Sequence, residues 1–252
     1  MLKVRVMPTL LFKDYGLVKG TQFNSWRRVG AAMQAVKVYT MREVDELIFL
    51  DIGATKEGRQ PDYDLVAELS DECFMPLTVG GGVRCVDEVR CLLNAGADKI
   101  SINTAALERP ALVAECAKRF GSQCIVASID ARREEDGSYQ AYGRSGTWAT
   151  GLDPGVAARQ MTAAGAGEIL LTSIERDGTM SGYDIELIRR VADVVSVPIV
   201  ASGGAGSFSD MAQALSEGGA SAVAAAAIFH FTEQTPADAK AHLQGAGFPM
   251  RI

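Results

Sequence analysis

Two short segments of this sequence occur twice, and they decide the fold. Residues 46–52 read ELIFLDI and residues 168–174 read EILLTSI, while residues 76–82 read PLTVGGG and residues 198–204 read PIVASGG. Both pairs are separated by 122 residues, so one structural unit is repeated in the two halves of the chain. Each segment is a short apolar run rich in branched residues, which is typical of a buried parallel strand.

Strand-like and helix-like segments alternate through the rest of the chain. The predicted strands are residues 4–11, 46–52, 76–80, 98–103, 123–130, 168–174, 198–202 and 221–227. The predicted helices are residues 31–43, 61–73, 86–95, 109–119, 152–165, 184–194, 208–217 and 236–244. Eight strand–helix units in a chain of 252 residues predict an α/β fold, a (β/α)8 TIM barrel built from two half-barrels. An open doubly wound sheet is the alternative, which the repeat disfavours. No linker divides the chain, so we expect one domain over residues 1–252.

The composition limits the partners. The net charge is −6 and no basic tract appears, so nucleic acid and membrane are not expected partners. The five cysteines and two histidines have no metal-ligand spacing, and we expect neither a metal ion nor a disulfide. No signal peptide or membrane-spanning stretch is evident, and we expect a cytoplasmic protein.

Glycine clusters follow two predicted strands that are related by the repeat. They are residues 80–82 (GGG) and residues 202–206 (SGGAG). Glycine lets the backbone approach an anion closely and point its N–H groups at phosphate oxygens. Tight turns that need positive φ are the alternative explanation. Because the clusters are symmetric, we favour two phosphate sites and a ligand with a phosphate at each end. Polar residues that could contribute further hydrogen bonds end strands nearby: Asn103 and Thr104 in one half, and residues 176–179 (RDGT) in the other.

One carboxylate stands where a barrel enzyme places its chemistry. Asp130 ends the fifth predicted strand, and a carboxylate at that end can act as a general acid or base. Asp51, which ends the second strand, is a weaker candidate, and either side chain could instead cap a loop. Aligning the two halves places Leu11 opposite Asp130. Leucine cannot transfer a proton, so a symmetric acid–base pair is incomplete.

Charged residues lie near the starts of four predicted strands. They are Arg5, Glu46, Lys99 and Glu168. Four such charges at similar depth predict a ring of ion pairs around the barrel axis. Taken by themselves, these residues favour a stabilising network at the bottom of the barrel.

Together these residues resemble the cyclase subunit of imidazole glycerol phosphate synthase, a barrel of histidine biosynthesis. The similarity runs from Met1 to about Phe231. It is carried by residues 17–20 (LVKG), 49–52 (FLDI), 78–82 (TVGGG), 99–106 (KISINTAA), 165–174 (GAGEILLTSI), 176–179 (RDGT) and 201–206 (ASGGAG). The sister isomerase of the same pathway shares the repeat but fits these segments less well.

The resemblance implies a function and roles for particular residues. A glutaminase subunit would bind the bottom face and deliver ammonia through the barrel to a ribulosyl bisphosphate at the top, without a cofactor. Phosphate binding is implied for Gly82, Asn103, Thr104, Asp177, Gly178 and Gly204. Lys19 is implied as a mobile, substrate-closing catalytic residue that acts with Asp130. The resemblance also implies that an ammonia gate is formed by the ring of Arg5, Glu46, Lys99 and Glu168. It further implies that Asp98 and Gln123 lie at the glutaminase interface.

The sequence departs from the family pattern at the first strand. The family has a second catalytic aspartate where this chain has Leu11, and Gly-Asp-Pro where residues 30–32 read GAA. A branch associated with surface-polysaccharide biosynthesis resembles this chain more closely there. Three hypotheses follow: a cyclase of histidine biosynthesis, an ammonia conduit that supplies a separate sugar-amidating enzyme, and a non-enzymatic phosphometabolite sensor. Leu11 favours the ammonia conduit, and the glycine clusters expected to bind phosphate still support the cyclase. The gate disfavours the non-enzymatic sensor.

Overall fold

A computed structural model describes residues 3–251 and contains a closed barrel of eight parallel strands. The first strand of the barrel pairs with both the last strand and the second, which closes the sheet. The predicted (β/α)8 fold is therefore confirmed. The barrel strands are β1 (Arg5–Lys13), β4 (Leu47–Asp51), β5 (Leu77–Gly80), β6 (Lys99–Ile102), β7 (Ile125–Arg133), β10 (Glu168–Ser173), β11 (Ile199–Ser202) and β12 (Ala222–Ala225).

Eight helices of eight to ten residues surround the barrel. They are α1 (Ala32–Met41), α3 (Tyr63–Ser70), α4 (Val86–Asn94), α6 (Ala111–Phe120), α7 (Pro154–Ala163), α8 (Ile185–Ala192), α9 (Phe208–Ser216) and α11 (Pro236–Gly245). Two of them begin at repeat-related aspartates: Asp62 accepts a hydrogen bond from the backbone of Leu65, and Asp184 from Leu187, both at 3.0 Å. Such capping satisfies a backbone N–H group that the helix itself leaves free.

Several short elements follow the barrel strands and were not predicted. They are the hairpin strands β2 (Gly16–Thr21), β3 (Asn24–Gly30), β8 (Tyr139–Gly143) and β9 (Trp148–Ala149), and the short helices α2 (Ala54–Glu57), α5 (Thr104–Glu108) and α10 (Ala227–Phe231). The fifth barrel strand also starts later than predicted, because residues 122–124 form a 3-10 turn. Four or five residues are too few to show a helical period, and β3 is largely exposed and polar, so it lacks the signature of a buried strand.

The half-barrel repeat extends to the hydrogen-bond register. Helices α1, α3 and α4 recur as α7, α8 and α9, each 122 residues later with the same length. In the sheet, Leu11 pairs with Leu50 and Asp130 pairs with Thr172. Because Leu50 and Thr172 are also 122 residues apart, Leu11 and Asp130 occupy equivalent positions, as the sequence alignment of the halves predicts.

The apolar core has two parts. The larger part lies between the barrel and its helices. The smaller part fills the inside of the barrel and comprises Met7, Ile48, Val126, Leu170, Val200, Ala222 and Ala224, with Leu50 packed against it. Among residues 3–251, no helix is both long and apolar enough to cross a membrane.

Candidate functional site

A cavity of about 550 Å³ opens at the carboxyl ends of the barrel strands. Side chains that point inward from the strands form its floor, and loops and hairpins form its walls. Floor residues include Thr9, Leu11, Leu50, Ser101, Ser128, Asp130, Leu170 and Thr172. The size and the mixed polarity are typical of a small-molecule site, and its place in the fold is where barrel enzymes carry out their chemistry.

Asp130 lies on the cavity floor, and its pKa is raised. Burial removes water from its carboxyl group, and the nearby carboxylate of Asp177 disfavours a second negative charge; together they raise the pKa of Asp130 to about 7. A group with that pKa can both donate and accept a proton near neutral pH. Leu11 also lines the cavity, at the equivalent position, and presents only an apolar side chain.

Lys19 reaches the cavity from the hairpin β2–β3. Its ammonium lies 2.8 Å from Oδ1 of Asp177, and only 4% of its side chain is exposed. The backbone N–H of Gln22 donates to the carbonyl of Asp177 at 2.8 Å. Gly178 has φ +73°, and a Cβ there would lie 2.1 Å from the carbonyl oxygen of Gly20. The hairpin is thus packed tightly onto the loop that follows β10, and the implied mobile lysine is held by an ion pair.

The predicted phosphate residues form two groups in the cavity wall. We call Gly82, Asn103 and Thr104 the first cradle, and Asp177, Gly178 and Gly204 the second cradle; all six line the cavity. The structure brings each group together on its own side of the barrel: the first group follows β5 and β6, and the second follows β10 and β11. Occupation by phosphate stays a prediction.

Protein contacts account for part of both cradles. Asn103 donates both amide protons, to the carbonyls of Ser128 and Tyr142 at 3.1 Å, so its NH2 group is already engaged. Gly82 has φ +75° and Gly204 has φ +111°, and a Cβ at Gly204 would lie 2.2 Å from the carbonyl oxygen of Gly182. The turns therefore require glycine even without a ligand, which supports the tight-turn explanation, and phosphate binding stays a prediction.

At the opposite end of the barrel the four predicted gate residues form a closed ring. Arg5 donates to Glu46 at 2.8 Å and to Glu168 at 2.5 Å. Lys99 donates to the other oxygen of Glu46 at 2.8 Å and to the other oxygen of Glu168 at 3.0 Å. Every carboxylate oxygen in the ring has one cation partner. Met7 and Ile48 stand two residues after Arg5 and Glu46, and because side chains alternate along a strand they lie above the ring inside the barrel.

Asp98 and Gln123 lie at this lower end and are exposed. The carboxylate of Asp98 accepts a hydrogen bond from the backbone N–H of Leu77 at 2.8 Å. The side-chain amide of Gln123 donates to the carbonyl of Phe120 at 3.3 Å. Both side chains therefore stabilise local backbone, and their surfaces stay accessible to a partner.

A comparison with known protein families identifies the family of this chain. The family described as histidine biosynthesis protein matches residues 5–235. This chain belongs to the histidine biosynthesis protein family. The match spans all eight barrel strands and the short helix α10. Members of the family are typically histidine-pathway enzymes, either isomerases or cyclases, which suggests that this chain is an enzyme.

Sequence reasoning missed four basic residues in this family member's cavity wall. They are Lys56, Arg59, Arg84 and Arg144. All four lie close to the first cradle. An alignment of the two halves of the repeat shows that the first three have uncharged counterparts, and this difference would have singled them out.

Asp51, the weaker catalytic candidate, serves as a cap: it accepts hydrogen bonds from the backbone N–H groups of Gly53 and Ala54 at 3.0 Å and pairs with Arg59 at 3.1 Å. Within residues 3–251 no group of His, Cys, Asp and Glu side chains is arranged to hold a metal ion.

Proposed function

We propose that this chain is a barrel of the cyclase type, which binds a bisphosphate ligand across its upper cavity and receives ammonia from a glutaminase at its lower face. The observation that carries the proposal is the arrangement along one axis. The ion-pair ring of Arg5, Glu46, Lys99 and Glu168 closes the bottom, apolar side chains fill the middle, and Asp130 lies at the top.

The chemistry follows from this arrangement. Neutral ammonia crosses an apolar interior more readily than ammonium does, because an ion loses its hydration there. At the upper end a group with a pKa near neutrality can move protons as ammonia attacks the ligand and the ring closes. The two cradles would hold the ligand's ends, so that its reacting centre lies over Asp130. This makes the enzyme a lyase and cyclase coupled to a glutamine amidotransferase.

The experiment is an ammonium-dependent assay on the isolated chain with the ribulosyl bisphosphate as substrate. Product formation above the uncatalysed rate, with a loss of about 10²- to 10⁴-fold on Asp130→Asn, supports a cyclase that uses this carboxyl group. A wild-type rate equal to that of Asp130→Asn contradicts it. Circular dichroism and thermal unfolding of both proteins control for misfolding.

A second candidate function is favoured by one observation, the leucine at position 11. Leu11 stands at the position equivalent to Asp130, so only one of two symmetric proton carriers is present. In this alternative the barrel conducts ammonia from its glutaminase to a separate sugar-amidating enzyme of surface-polysaccharide biosynthesis, and its own cyclase activity is impaired. Slow turnover by the isolated chain, together with glutamine-dependent amidation in a mixture with both partners, distinguishes it from the first.

A further inference from the structure

Two carboxyl groups line the upper cavity on neighbouring strands, and they differ in their partners. Asp130 lies on β7, and the residue paired with it in β10 is Thr172. Asp177 follows β10, and its backbone N–H donates to the carbonyl of Ser173 at 3.0 Å. This hydrogen bond keeps Asp177 above the end of β10. Both carboxyl groups therefore belong to the same part of the cavity wall and floor.

Asp177 has a cation partner. The ammonium of Lys19 lies 2.8 Å from its Oδ1, with 4% of the lysine side chain and 10% of the aspartate side chain exposed. The backbone N–H of Gln22 donates to the carbonyl of Asp177 at 2.8 Å, so the hairpin β2–β3 also fixes the main chain there. A lysine ammonium at this distance favours the ionised form of a carboxyl group.

Asp130 has no such partner. Within residues 3–251 its carboxyl group makes neither an ion pair nor a hydrogen bond, and the causes of its raised pKa are burial and the charge of Asp177. When two carboxyl groups lie close together and one of them has a cation, the negative charge settles on that one and the other keeps its proton. Lys19 thus decides that Asp177 is the ionised member of the pair.

The remaining charged side chains of the cavity have partners of their own or are exposed. They are Asp51, Lys56, Arg59, Arg84, Glu108 and Arg144. Asp51 pairs with Arg59, and Glu108 pairs with Arg144. Arg84 pairs with Glu88, and the side chain of Lys56 is exposed. None of these described charges shifts the pKa of Asp130.

The strands packed against β7 bring no further charge to this end of the barrel within residues 3–251. Lys99 of β6 and Glu168 of β10 belong to the ring at the opposite end. Tyr142 of β8 is paired with Asp130 in the sheet, but its hydroxyl donates to Glu134 at 2.7 Å. Asp177 is therefore the charge that acts on Asp130.

The carboxylate of Asp177 is poorly suited to holding a phosphate. Its Oδ2 is buried and has no hydrogen-bond partner among the described residues. An ionised carboxylate only accepts hydrogen bonds, so it has no proton to offer a phosphate oxygen. The side chain, as distinct from the backbone of the same turn, thus calls for another role.

We propose that Asp177 is a positioning residue: its carboxylate, paired with Lys19, keeps the proton on Asp130, so that Asp130 enters the reaction as a general acid. This inference rests on the proposed function for the reaction itself. It adds the group that prepares Asp130 for proton donation, and it assigns to Lys19 a part in that preparation through Asp177.

The test follows the carboxyl carbon of Asp130 by ¹³C NMR as a function of pH in the ligand-free protein. The signal is assigned by its loss in Asp130→Asn, and in the wild type it should titrate near neutral pH. Asp177→Asn keeps the shape of the side chain and an acceptor for Lys19, but it removes the charge. The midpoint of the Asp130 titration should then fall by about one pH unit. In ammonium-dependent turnover, the limb of the pH–rate profile that falls as pH rises should move in the same direction.

Two further variants isolate the effect of the charge. Asp177→Asn leaves the ammonium of Lys19 without its carboxylate, and that cation would itself favour ionisation of Asp130. Lys19→Met/Asp177→Asn removes both charges, and its midpoint should still lie below that of the wild type. Asp51→Asn is the matched control, because Asp51 and Asp177 line the same cavity and are both 7% exposed. It should leave the midpoint of Asp130 unchanged.

The outcomes separate this inference from the proposed function. A wild-type midpoint in Asp177→Asn or in the double variant overturns the inference and leaves the proposed function standing. An equal shift in Asp51→Asn also overturns it, because the total charge of the cavity would then be responsible. Shifted midpoints in a protein without ammonium-dependent turnover would overturn the proposed function, while the effect of Asp177 on the proton of Asp130 would stand.

Discussion

The ammonium of Lys19 lies 2.8 Å from Oδ1 of Asp177, and both side chains are buried. Lys19 belongs to the hairpin after the first barrel strand, and Asp177 to the loop after the sixth, so the ion pair joins two walls of the cavity. The side chain of Gln22 strengthens the same junction by donating to the carbonyl of Glu175 at 3.0 Å. The hairpin β2–β3 is therefore fastened over one side of the cavity.

Replacing Lys19 with methionine should release this hairpin. The substitution keeps most of the side chain's length but leaves the carboxylate of Asp177 buried without a cation, which typically costs about 3–5 kcal/mol of the free energy of unfolding. Amide hydrogen exchange in residues 16–30 should become faster, while exchange in the barrel strands stays slow. Urea denaturation and exchange measured by mass spectrometry check both effects.

The double variant Lys19→Met/Asp177→Leu is the control for this interpretation. Because it removes both charges, it should be more stable than Lys19→Met alone, with a coupling energy of about 1–3 kcal/mol in the double-mutant cycle. Unchanged exchange in the hairpin of Lys19→Met would contradict the fastening role of the ion pair.

The lower ring offers a separate test of ammonia entry. Lys99→Met leaves Glu46 and Glu168 with Arg5 as their one remaining partner in the ring and opens space on the axis. We expect a loss of about 1–2 kcal/mol of stability, since the ring is partly hydrated. Glutamine-dependent turnover in the complex with the glutaminase should change, whereas turnover supported by added ammonium salt should not.

Lys240→Met is the matched control for the ring. Lys240 pairs with the buried Asp45 at 3.0 Å, beside Glu46 in the sequence but outside the ring. Its loss should destabilise the protein to a similar degree and leave the ratio of glutamine- to ammonium-dependent turnover unaltered. An equal effect of both variants on that ratio would show that the ring only stabilises the barrel and does not control ammonia entry.

The parts of the fold that sequence could predict are those set by repeated local patterns. Residues 76–80 form a short apolar run and residues 86–95 have a helical period, and the recurrence of both 122 residues later fixes the barrel. The ring was also predictable, because Arg5, Lys99 and Glu168 start strands and Glu46 directly precedes one, so the four residues lie at a similar level. Positions along a strand translate directly into depth in a barrel.

The contacts that decide the cavity lie between distant loops, and sequence contains no period for them. Asn103 illustrates this: as an amide at a strand end it was a reasonable phosphate donor, yet its two protons are taken by carbonyls of β7 and β8. Asp51 similarly became a cap because Gly53 and Ala54 turn back toward it. Such outcomes depend on loop conformation, which three-dimensional packing sets.

The raised pKa of Asp130 gives a prediction about stability and pH. Its pKa is about 7 in the folded protein, against 3.8 as an ordinary carboxyl group. Between those values the folded state keeps the proton and the unfolded state has released it, so stability falls as pH rises from about 4 to about 7. Asp130→Asn removes this term. It should be more stable than the wild type by about 1–3 kcal/mol above neutral pH, and equal to it near pH 4.

Urea denaturation of both proteins across this range measures the difference. Asp14→Asn serves as the control, because that aspartate is exposed on the turn between β1 and β2 and its side chain makes no hydrogen bond or ion pair within residues 3–251. If the free energies of unfolding of Asp130→Asn and the wild type differ by the same amount at every pH, the pKa of Asp130 is that of an ordinary carboxyl group. This result would weaken its assignment as a general acid or base.

The last prediction concerns the leucine that stands opposite Asp130. Ring closure and cleavage of a bisphosphate substrate move protons at both halves of the molecule, and Leu11 and Leu50 form an apolar wall where the second carrier is needed. Leu11→Asp should raise ammonium-dependent turnover by up to about 10²- to 10⁴-fold, the usual effect of one positioned acid or base. Asparagine has nearly the same shape as aspartate but cannot transfer a proton, so Leu11→Asn should not raise turnover. Steady-state kinetics of the wild type, both variants and Leu11→Asp/Asp130→Asn distinguish the proton from the change in polarity. A wild type that turns over as fast as Leu11→Asp would contradict the conduit and favour a cyclase of histidine biosynthesis that works with Asp130 alone.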